Sequence, residues 1–84
     1  MADSVRVKVY TSTHCAYCRA AKALLDQRGI AFEEIDLSQD STAREALIAE
    51  TGWRTVPIIE IDGELIGGFM ELRAHAMKGG LDDF

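Results

Sequence analysis

Two cysteines close together near the start of the chain are the residues best suited to do chemistry. Cys15 and Cys18 are the only cysteines among 84 residues, and two residues separate them. A disulfide between them would close too small a loop to restrain the unfolded chain much, so the pair is more typical of a reactive site than of a structural bridge. Residues three apart on a helix are neighbours, so this pair can form and break a disulfide with little backbone movement.

The residues that follow predict a helix whose N-terminus holds both cysteines. Unpaired backbone N–H groups and the helix dipole favour negative charge there, which stabilises a thiolate on Cys15 more than on the deeper Cys18. Strong helix formers run from Ala16 to Arg28, and Gly29 stands where a left-handed cap belongs. The apolar face of this helix is predicted to contain Tyr17, Ala20, Ala21, Leu24 and Leu25.

Hydrophobic periodicity predicts a strand on either side of this helix and a second helix after them. The first strand ends near Tyr10, and a second strand, parallel to the first, lies within 30–37. A capping box of Thr42 and Glu45 is expected to begin the second helix, which stops at Gly52. The strand-helix-strand crossover is expected to be right-handed.

The last third of the chain predicts a hairpin and a final helix. Apolar runs on both sides of Asp62-Gly63 indicate two antiparallel strands joined by a tight turn. The final helix follows Gly67-Gly68 and ends at Gly79-Gly80, with Met70 and Met77 expected to fill the core.

Composition favours a single soluble domain over residues 1–84. Hydrophobic residues make up 48% and charged residues 27%, with one proline, which suits a globular α/β chain. The formal net charge is -5, which repels a phosphate backbone and predicts no nucleic-acid partner. The first residues lack a basic region followed by an apolar run, and no apolar stretch approaches the ~18 residues of a membrane helix. We expect a cytoplasmic chain without a membrane partner.

A zinc site is the alternative use of the cysteines. Its candidate ligands would be Cys15, Cys18, His14 and His75. A structural zinc site needs two pairs at ligand spacing, whereas this chain has one pair and two scattered histidines. A Cys-x-x-Cys on a strand-helix unit of a cytosolic chain favours redox chemistry instead.

Three motifs in order make the chain resemble the glutaredoxin family from residue 5 to about residue 81. They are Cys15-Ala16-Tyr17-Cys18 after a strand, Thr55-Val56-Pro57 before a hairpin, and Gly67-Gly68 before the last helix. The resemblance implies a thioredoxin-like fold, with a four-stranded mixed sheet and three helices in the order β-α-β-α-β-β-α. It also implies a cis peptide bond between Val56 and Pro57, facing the cysteines.

The same resemblance implies a glutathione-binding site. Cys15 is similar to the family's nucleophile and Cys18 to its resolving thiol, and the backbone of Val56 would pair with the cysteinyl unit of glutathione. Arg44 matches a polar or basic position near the glycine carboxylate, and Glu71 matches the acidic position that pairs with the ammonium. The remaining residues of the implied site are Tyr17, Thr55, Pro57, Gly67, Gly68, Phe69 and Met70, the last four forming the segment that receives the γ-glutamyl carboxylate.

The chain departs from the family pattern at three positions. The family usually has Pro where this chain has Ala16, Lys or Arg where it has Ser12, and Ser, Thr or Asp where it has Met70. The last two departures remove side chains that normally hold glutathione, and Arg19 and Arg54 are the candidates to compensate.

Two further features have competing interpretations. Trp53 either gates the site or contacts a protein substrate, or it plugs the edge of a small core. His14 is interpreted as an exposed loop residue rather than a partner of the Cys15 thiolate. Glu33 and Glu34 are interpreted as solvated charges.

These observations predict a glutathione-dependent thiol-disulfide oxidoreductase. Its substrates would be protein-glutathione mixed disulfides and, through Cys18, protein disulfides. One alternative is a dithiol electron carrier fed by thioredoxin reductase. Another, suggested by Ala16, is a carrier in which two copies share a [2Fe-2S] cluster through Cys15 and two glutathione thiols. A monomer is expected for the oxidoreductase, and a cluster-bridged dimer for the last alternative.

Overall fold

The described residues, 5–13 and 15–82, form strands and helices in the predicted order. In this computed structural model the elements are β1 (Val7–Thr11), α1 (Ala16–Gln27), β2 (Phe32–Asp36), α2 (Ser41–Thr51), β3 (Ile58–Ile61), β4 (Glu64–Gly67) and α3 (Phe69–Met77). Within the described ranges, no helix is long and apolar enough to cross a membrane. His14 lies outside the described residues.

The four strands form one mixed sheet in the order β2-β1-β3-β4. β1 is parallel to β2, and β3 is antiparallel to both β1 and β4. The predicted thioredoxin-like fold is therefore confirmed. The two edge strands are short and acidic, because β2 carries Glu33, Glu34 and Asp36 and β4 begins with Glu64.

Side-chain alternation along β1 divides the core between the two faces of the sheet. Val7 and Val9 are fully buried in one cluster with residues of α1 and α3. Tyr10 points to the opposite face and packs against a smaller cluster that includes Leu47 of α2. Both faces are covered, so β1 runs through the centre of the molecule and its C-terminal end leads into the cysteine loop.

The predicted hairpin has the turn geometry that its sequence favours. Asp62 and Gly63 both have positive φ, 53° and 84°, as a two-residue turn of type I′ requires. Arg6 donates two hydrogen bonds to the carboxylate of Asp62, at 2.9 and 2.8 Å. These bonds lower the pKa of Asp62 below its usual value. The turn is thereby tied to the chain just before β1.

The predicted start of α2 is wrong by a short distance. Asp40, rather than Thr42, is the N-cap, and its Oδ1 accepts the N–H of Ala43 at 2.9 Å. Aspartate caps a helix at least as well as threonine does, so the helix begins earlier, at Ser41. The helix ends at Gly52, as predicted.

Three residues predicted on apolar helix faces are exposed instead. Tyr17 is 63% exposed, Met70 58% and Met77 75%. Cys18, only 2% exposed, points into the core from the first turn of α1. The periodicity of a helix tells which residues share a face, but these three lie at helix ends, where that face reaches solvent. The interpretation of both methionines as core residues is wrong.

Glu34 is not the merely solvated charge that the sequence suggested. Its Oε2 accepts hydrogen bonds from Lys22 Nζ of α1 at 2.9 Å and from the buried Thr11 Oγ1 of β1 at 3.0 Å. The hydrogen bond from Lys22, helped by the one from Thr11, lowers the pKa of Glu34 against the opposing effect of burial. This carboxylate therefore ties α1 to the two strands beneath it.

Replacing Glu34 by glutamine removes its ion pair with Lys22 and is expected to lower the free energy of unfolding at pH 7. The expected loss is only about 0.5 kcal/mol, because solvent partly screens this pair. A carboxyl group with a lowered folded-state pKa stabilises the fold above its unfolded pKa of ~4.3, and loses that effect as the pH falls through the folded value. The loss of stability measured by urea denaturation should therefore be larger at pH 7 than at pH 3. Glu33→Gln, at the neighbouring exposed glutamate, is the control; an equal effect there would contradict the specific pairing.

Candidate active site

The cysteine pair occupies the N-terminus of α1, as predicted. Cys15 is the N-cap, and its Sγ accepts the backbone N–H of Cys18 at 3.1 Å. The two residues form a disulfide, with their Cα atoms 5.2 Å apart. Cys15 is half-buried whereas Cys18 is 2% exposed. A reagent from solvent therefore reaches Cys15, and a sulfur there receives the N–H groups of the helix start.

The loop before β3 lies against the accessible cysteine. The peptide bond between Val56 and Pro57 is cis, as the family resemblance implied. The carbonyl oxygen of Val56 is 3.7 Å from Cys15 Sγ. No backbone hydrogen bond of Val56 is found within 5–13 and 15–82. Its N–H is thus open to an extended segment that lies beside the disulfide, whereas its carbonyl oxygen lies against Cys15 Sγ.

Side-chain hydrogen bonds connect the loop before Cys15 to the loop after β2. Thr13 Oγ1 donates to Ser38 Oγ at 2.9 Å, and Ser38 Oγ donates to Asp36 Oδ1 at 2.6 Å. The bonds from the hydroxyl and the backbone N–H of Ser38 lower the pKa of Asp36. These contacts were not predicted from the sequence, although a Ser two residues after an Asp is a common turn pattern.

A groove of about 170 Å³ runs from the Val56 loop to the start of α3. We refer to this cavity as the groove. Most of the residues implied by the family resemblance line it, and Trp53 joins them. The lining residues are Tyr17, Trp53, Thr55, Val56, Pro57, Gly68, Phe69, Met70 and Glu71.

Besides the two cysteines, two of the implied glutathione-binding residues are absent from the lining of the groove. Arg44 is exposed on α2. Gly67 is buried behind the groove wall, with a φ of 124°. A Cβ at Gly67 would approach Glu71 Cγ to 2.9 Å and Trp53 Cη2 to 3.1 Å, so this position has room only for glycine. Among the cations considered as compensating, Arg19 and Arg54 are exposed and do not line the groove either.

Trp53 forms the back of the groove and also belongs to the core. Its indole packs against the smaller hydrophobic cluster, and its Cζ2 lies 3.5 Å from the position of a Cβ at Gly68. Its Nε1 is buried without a hydrogen-bond partner in the described part of the chain. Trp53 therefore fills a core edge, as one of its two interpretations held, and it also lines the candidate site; a gating or substrate-contacting role stays a prediction.

Glu71 caps the helix on which it lies. Its Oε1 accepts the backbone N–H of Gly68 at 3.1 Å, across the first turn of α3. The carboxylate therefore occupies one of the N–H groups that would otherwise bind an external anion. The ring of Phe69, next to this turn, stacks on Tyr17, with ring centroids 6.1 Å apart and an interplanar angle of 29°.

The zinc alternative has no support from the arrangement of side chains. Over 5–13 and 15–82, no group of three or more His, Cys, Asp or Glu residues is placed to hold a metal ion. His75 packs against Gly80. The fourth candidate ligand, His14, is outside the described residues.

A cysteine pair at the start of α1, facing a cis-proline loop on a thioredoxin-like sheet, defines a thiol-disulfide oxidoreductase. The family profile for glutaredoxin matches residues 7–66. The chain is 43% identical to glutaredoxin 3 of Escherichia coli K12 over 76 residues, which are 90% of this chain and 92% of that protein. It belongs to the glutaredoxin family.

Other relatives agree with this assignment. A probable glutaredoxin of Synechocystis is 40% identical over 83 residues, covering 98% of this chain and 94% of that protein. A crystal structure of a buckwheat glutaredoxin-glutathione complex superposes with a TM-score of 0.87 at 34% identity, covering 93% of this chain and 74% of that one.

Proposed function

We propose that residues 1–84 act as a single, monomeric domain that uses glutathione to reduce protein-glutathione mixed disulfides and protein disulfides. The observation that carries the proposal is the accessible Cys15 sulfur at a helix N-terminus, beside the open N–H of Val56. The buckwheat relative in complex with glutathione supports the choice of thiol. We place the activity in the cytoplasm, where thiols are kept reduced.

Cys15 is the proposed nucleophile for mixed disulfides. Its thiolate attacks the glutathione sulfur, a Cys15-glutathione disulfide forms, and the substrate protein leaves as a thiolate that takes a proton from water. A second glutathione thiolate then attacks the glutathione sulfur and releases Cys15 as a thiolate. The products are a reduced protein and glutathione disulfide, in which a disulfide bond joins the two glutathione sulfurs.

Cys18 is the proposed resolving thiol for protein disulfides. After Cys15 has attacked a substrate disulfide, the Cys18 thiolate attacks Cys15 Sγ and expels the substrate's second sulfur. The product is the Cys15–Cys18 disulfide present in the structure. Burial of Cys18 suits this role, because its sulfur meets Cys15 and is shielded from other disulfides.

The groove is the proposed binding site for the glutathione unit. Val56 would pair with the cysteinyl backbone, and Tyr17, Thr55 and Pro57 would contact its flanks. The γ-glutamyl end would lie at the start of α3, along Gly67, Gly68, Phe69 and Met70, with Glu71 beside its ammonium group. Arg44, exposed on α2, would attract the glycine carboxylate from outside the groove.

The experiment that tests the reductant compares two supply systems with one glutathionylated protein substrate. Turnover is expected with glutathione, glutathione reductase and NADPH, and only background turnover with thioredoxin reductase and NADPH. The measurement is the rate of NADPH oxidation at 340 nm, with Cys15→Ser protein as the blank. Faster turnover with thioredoxin reductase would instead support the dithiol carrier. This carrier is the alternative because Ser12 and Met70 replace the side chains with which the family normally holds glutathione.

A [2Fe-2S] cluster plays no part in this proposal. Such clusters are usually held by four thiolates, and Cys15 and Cys18 are the only cysteines of the chain. The residues of one chain therefore do not fit a cluster without ligands from a second copy and from glutathione. Ala16, whose position suggested the cluster, is exposed in the first turn of α1 and is a good helix former there.

A further inference from the structure

Ser12 and Thr13, which follow β1 and lead toward the cysteines, are held by a side chain rather than by the backbone. Within residues 5–13 and 15–82, neither of them makes a backbone hydrogen bond. The bond of 2.9 Å that Thr13 Oγ1 donates to Ser38 Oγ is the one hydrogen bond that the same ranges give them. A segment without backbone pairing is fixed only as firmly as its side-chain contacts fix it.

Ser38, in the loop after β2, is itself fixed by Asp36. Its backbone N–H and its hydroxyl both donate to Asp36 Oδ1, at 2.8 and 2.6 Å. The hydroxyl proton thus points to the carboxylate, which leaves the lone pairs of Ser38 Oγ to accept the bond from Thr13. Hydrogen bonds to a charged oxygen are the strong ones, and those from Ser38 lower the pKa of Asp36, which keeps this carboxylate charged near neutral pH.

Cys15 depends on this segment because it is the N-cap of α1 and not a residue inside the helix. Its carbonyl oxygen accepts the N–H of Arg19 at 3.2 Å, but its own N–H makes no backbone hydrogen bond among the described residues. Its φ and ψ of -108° and 107° show that the chain enters the helix in an extended conformation. The direction of its Cβ therefore depends on how the preceding residues are held. In the reduced protein, which attacks the substrate, the disulfide no longer restrains this sulfur.

We propose that Ser38 is a positioning residue for Cys15. Through Thr13, it keeps the Cys15 thiolate directed at a disulfide bound in the groove, and it does not contact the substrate itself. A misplacement of reacting atoms by 1 Å can lower a rate ~100-fold, so a partial loosening of this segment is expected to cost about tenfold. This inference rests on Cys15 as the nucleophile of the proposed function, and it does not depend on glutathione as the reductant.

The test is a double-mutant cycle on the bond between Thr13 and Ser38, with proteins reduced by dithiothreitol and then freed of it. One substrate is the peptide Gly-Cys-Gly with blocked termini, glutathionylated at its cysteine. The other is the symmetric disulfide of the same peptide, which contains no glutathione. In each reaction the Cys15 thiolate bonds to one sulfur of the substrate, the substrate disulfide breaks, and the other sulfur leaves as a thiolate. Quenched flow and chromatography measure the release of the first peptide thiol.

Ser38→Ala and Thr13→Val are each expected to slow this release about tenfold with both substrates. The double variant is expected to be no slower than either single variant, because both changes break the same bond. Ser38→Thr keeps a hydroxyl and is expected to keep the rate. Ser41→Ala is the matched control, since Ser41 is exposed in the first turn of α2 and its hydroxyl makes no hydrogen bond in the part of the chain that the structure describes. Circular dichroism checks that every variant is folded.

Alkylation of Cys15 by iodoacetamide at pH 7 separates positioning from reactivity, because this small reagent needs no alignment in the groove. Its rate is expected to stay the same in all variants. An equal fall in the alkylation rate would overturn the inference, and so would an unchanged rate of thiol release in Ser38→Ala or losses that multiply to about 100-fold in the double variant. An unaltered protein that reacted only with the peptide disulfide would refute the proposed glutathionylated substrates, and the cycle with the peptide disulfide would still decide this inference.

Discussion

Replacing Cys15 by serine is expected to abolish turnover of both glutathionylated proteins and protein disulfides, by at least about 1,000-fold. A serine hydroxyl at this N-cap can still accept the Cys18 N–H, so the helix keeps its start, but an alcohol does not attack a disulfide. The measurement is NADPH oxidation coupled to glutathione reductase, with thermal unfolding as the check on the fold. A Cys15→Ser protein that still released glutathione from its substrate would refute the proposed nucleophile.

Cys18→Ser provides the contrast to this variant. Its expected result is retained release of glutathione from mixed disulfides together with loss of most protein-disulfide reduction, because only the second reaction uses an intramolecular thiol. Cys18 is buried, so serine there places a hydroxyl in the core and costs about 1 to 3 kcal/mol of stability. Assays well below the unfolding temperature keep the two effects apart.

Gly67→Ala is expected to lower the free energy of unfolding by about 2 to 5 kcal/mol, a large part of the stability of a small domain. The backbone there has a φ of 124°, and an added methyl group would meet both Glu71 and Trp53. The groove should be affected too, because Glu71 would have to give up its bond to Gly68. Urea denaturation followed by circular dichroism measures the change.

Gly63→Ala separates the two causes of that loss. Gly63 also has a positive φ, 84°, but nothing lies within 4 Å of an added Cβ. Backbone strain alone predicts a loss of about 1 to 2 kcal/mol there. If both alanine variants unfolded at the same urea concentration, the close packing of Gly67 against Trp53 would have no energetic consequence.

Local sequence signals were sufficient for the order of the elements and for the position of the cysteines. Alternation in β1, the Asp62-Gly63 turn and the glycine at the end of α2 act over a few residues, so they can be identified without knowing the fold. The placement of Cys15 at a helix start followed from the helix formers after it. The cis bond before Pro57 could be expected only from the family resemblance, since sequence alone favours trans.

Contacts between distant parts of the chain could not be predicted in this way. Trp53 lies next to Gly67 only after α2, β3 and β4 have packed, and no local pattern connects the two. The pairing of Glu34 with Lys22 depends in the same way on α1 crossing the sheet. Met70 was misassigned because helix periodicity does not show that the start of α3 lies beside a groove rather than over the core.

The short acidic edges of the sheet also bear on how copies of this chain behave when concentrated. An edge strand exposes unpaired N–H and C=O groups that can recruit another chain into a continuous sheet, which is a route to aggregation. Here one edge is β2, with the sequence Phe-Glu-Glu-Ile-Asp, and the other is β4, which is four residues long and has an irregular register with β3. Two such edges brought together would juxtapose carboxylates, so crowding near neutral pH should not drive edge-to-edge polymerisation.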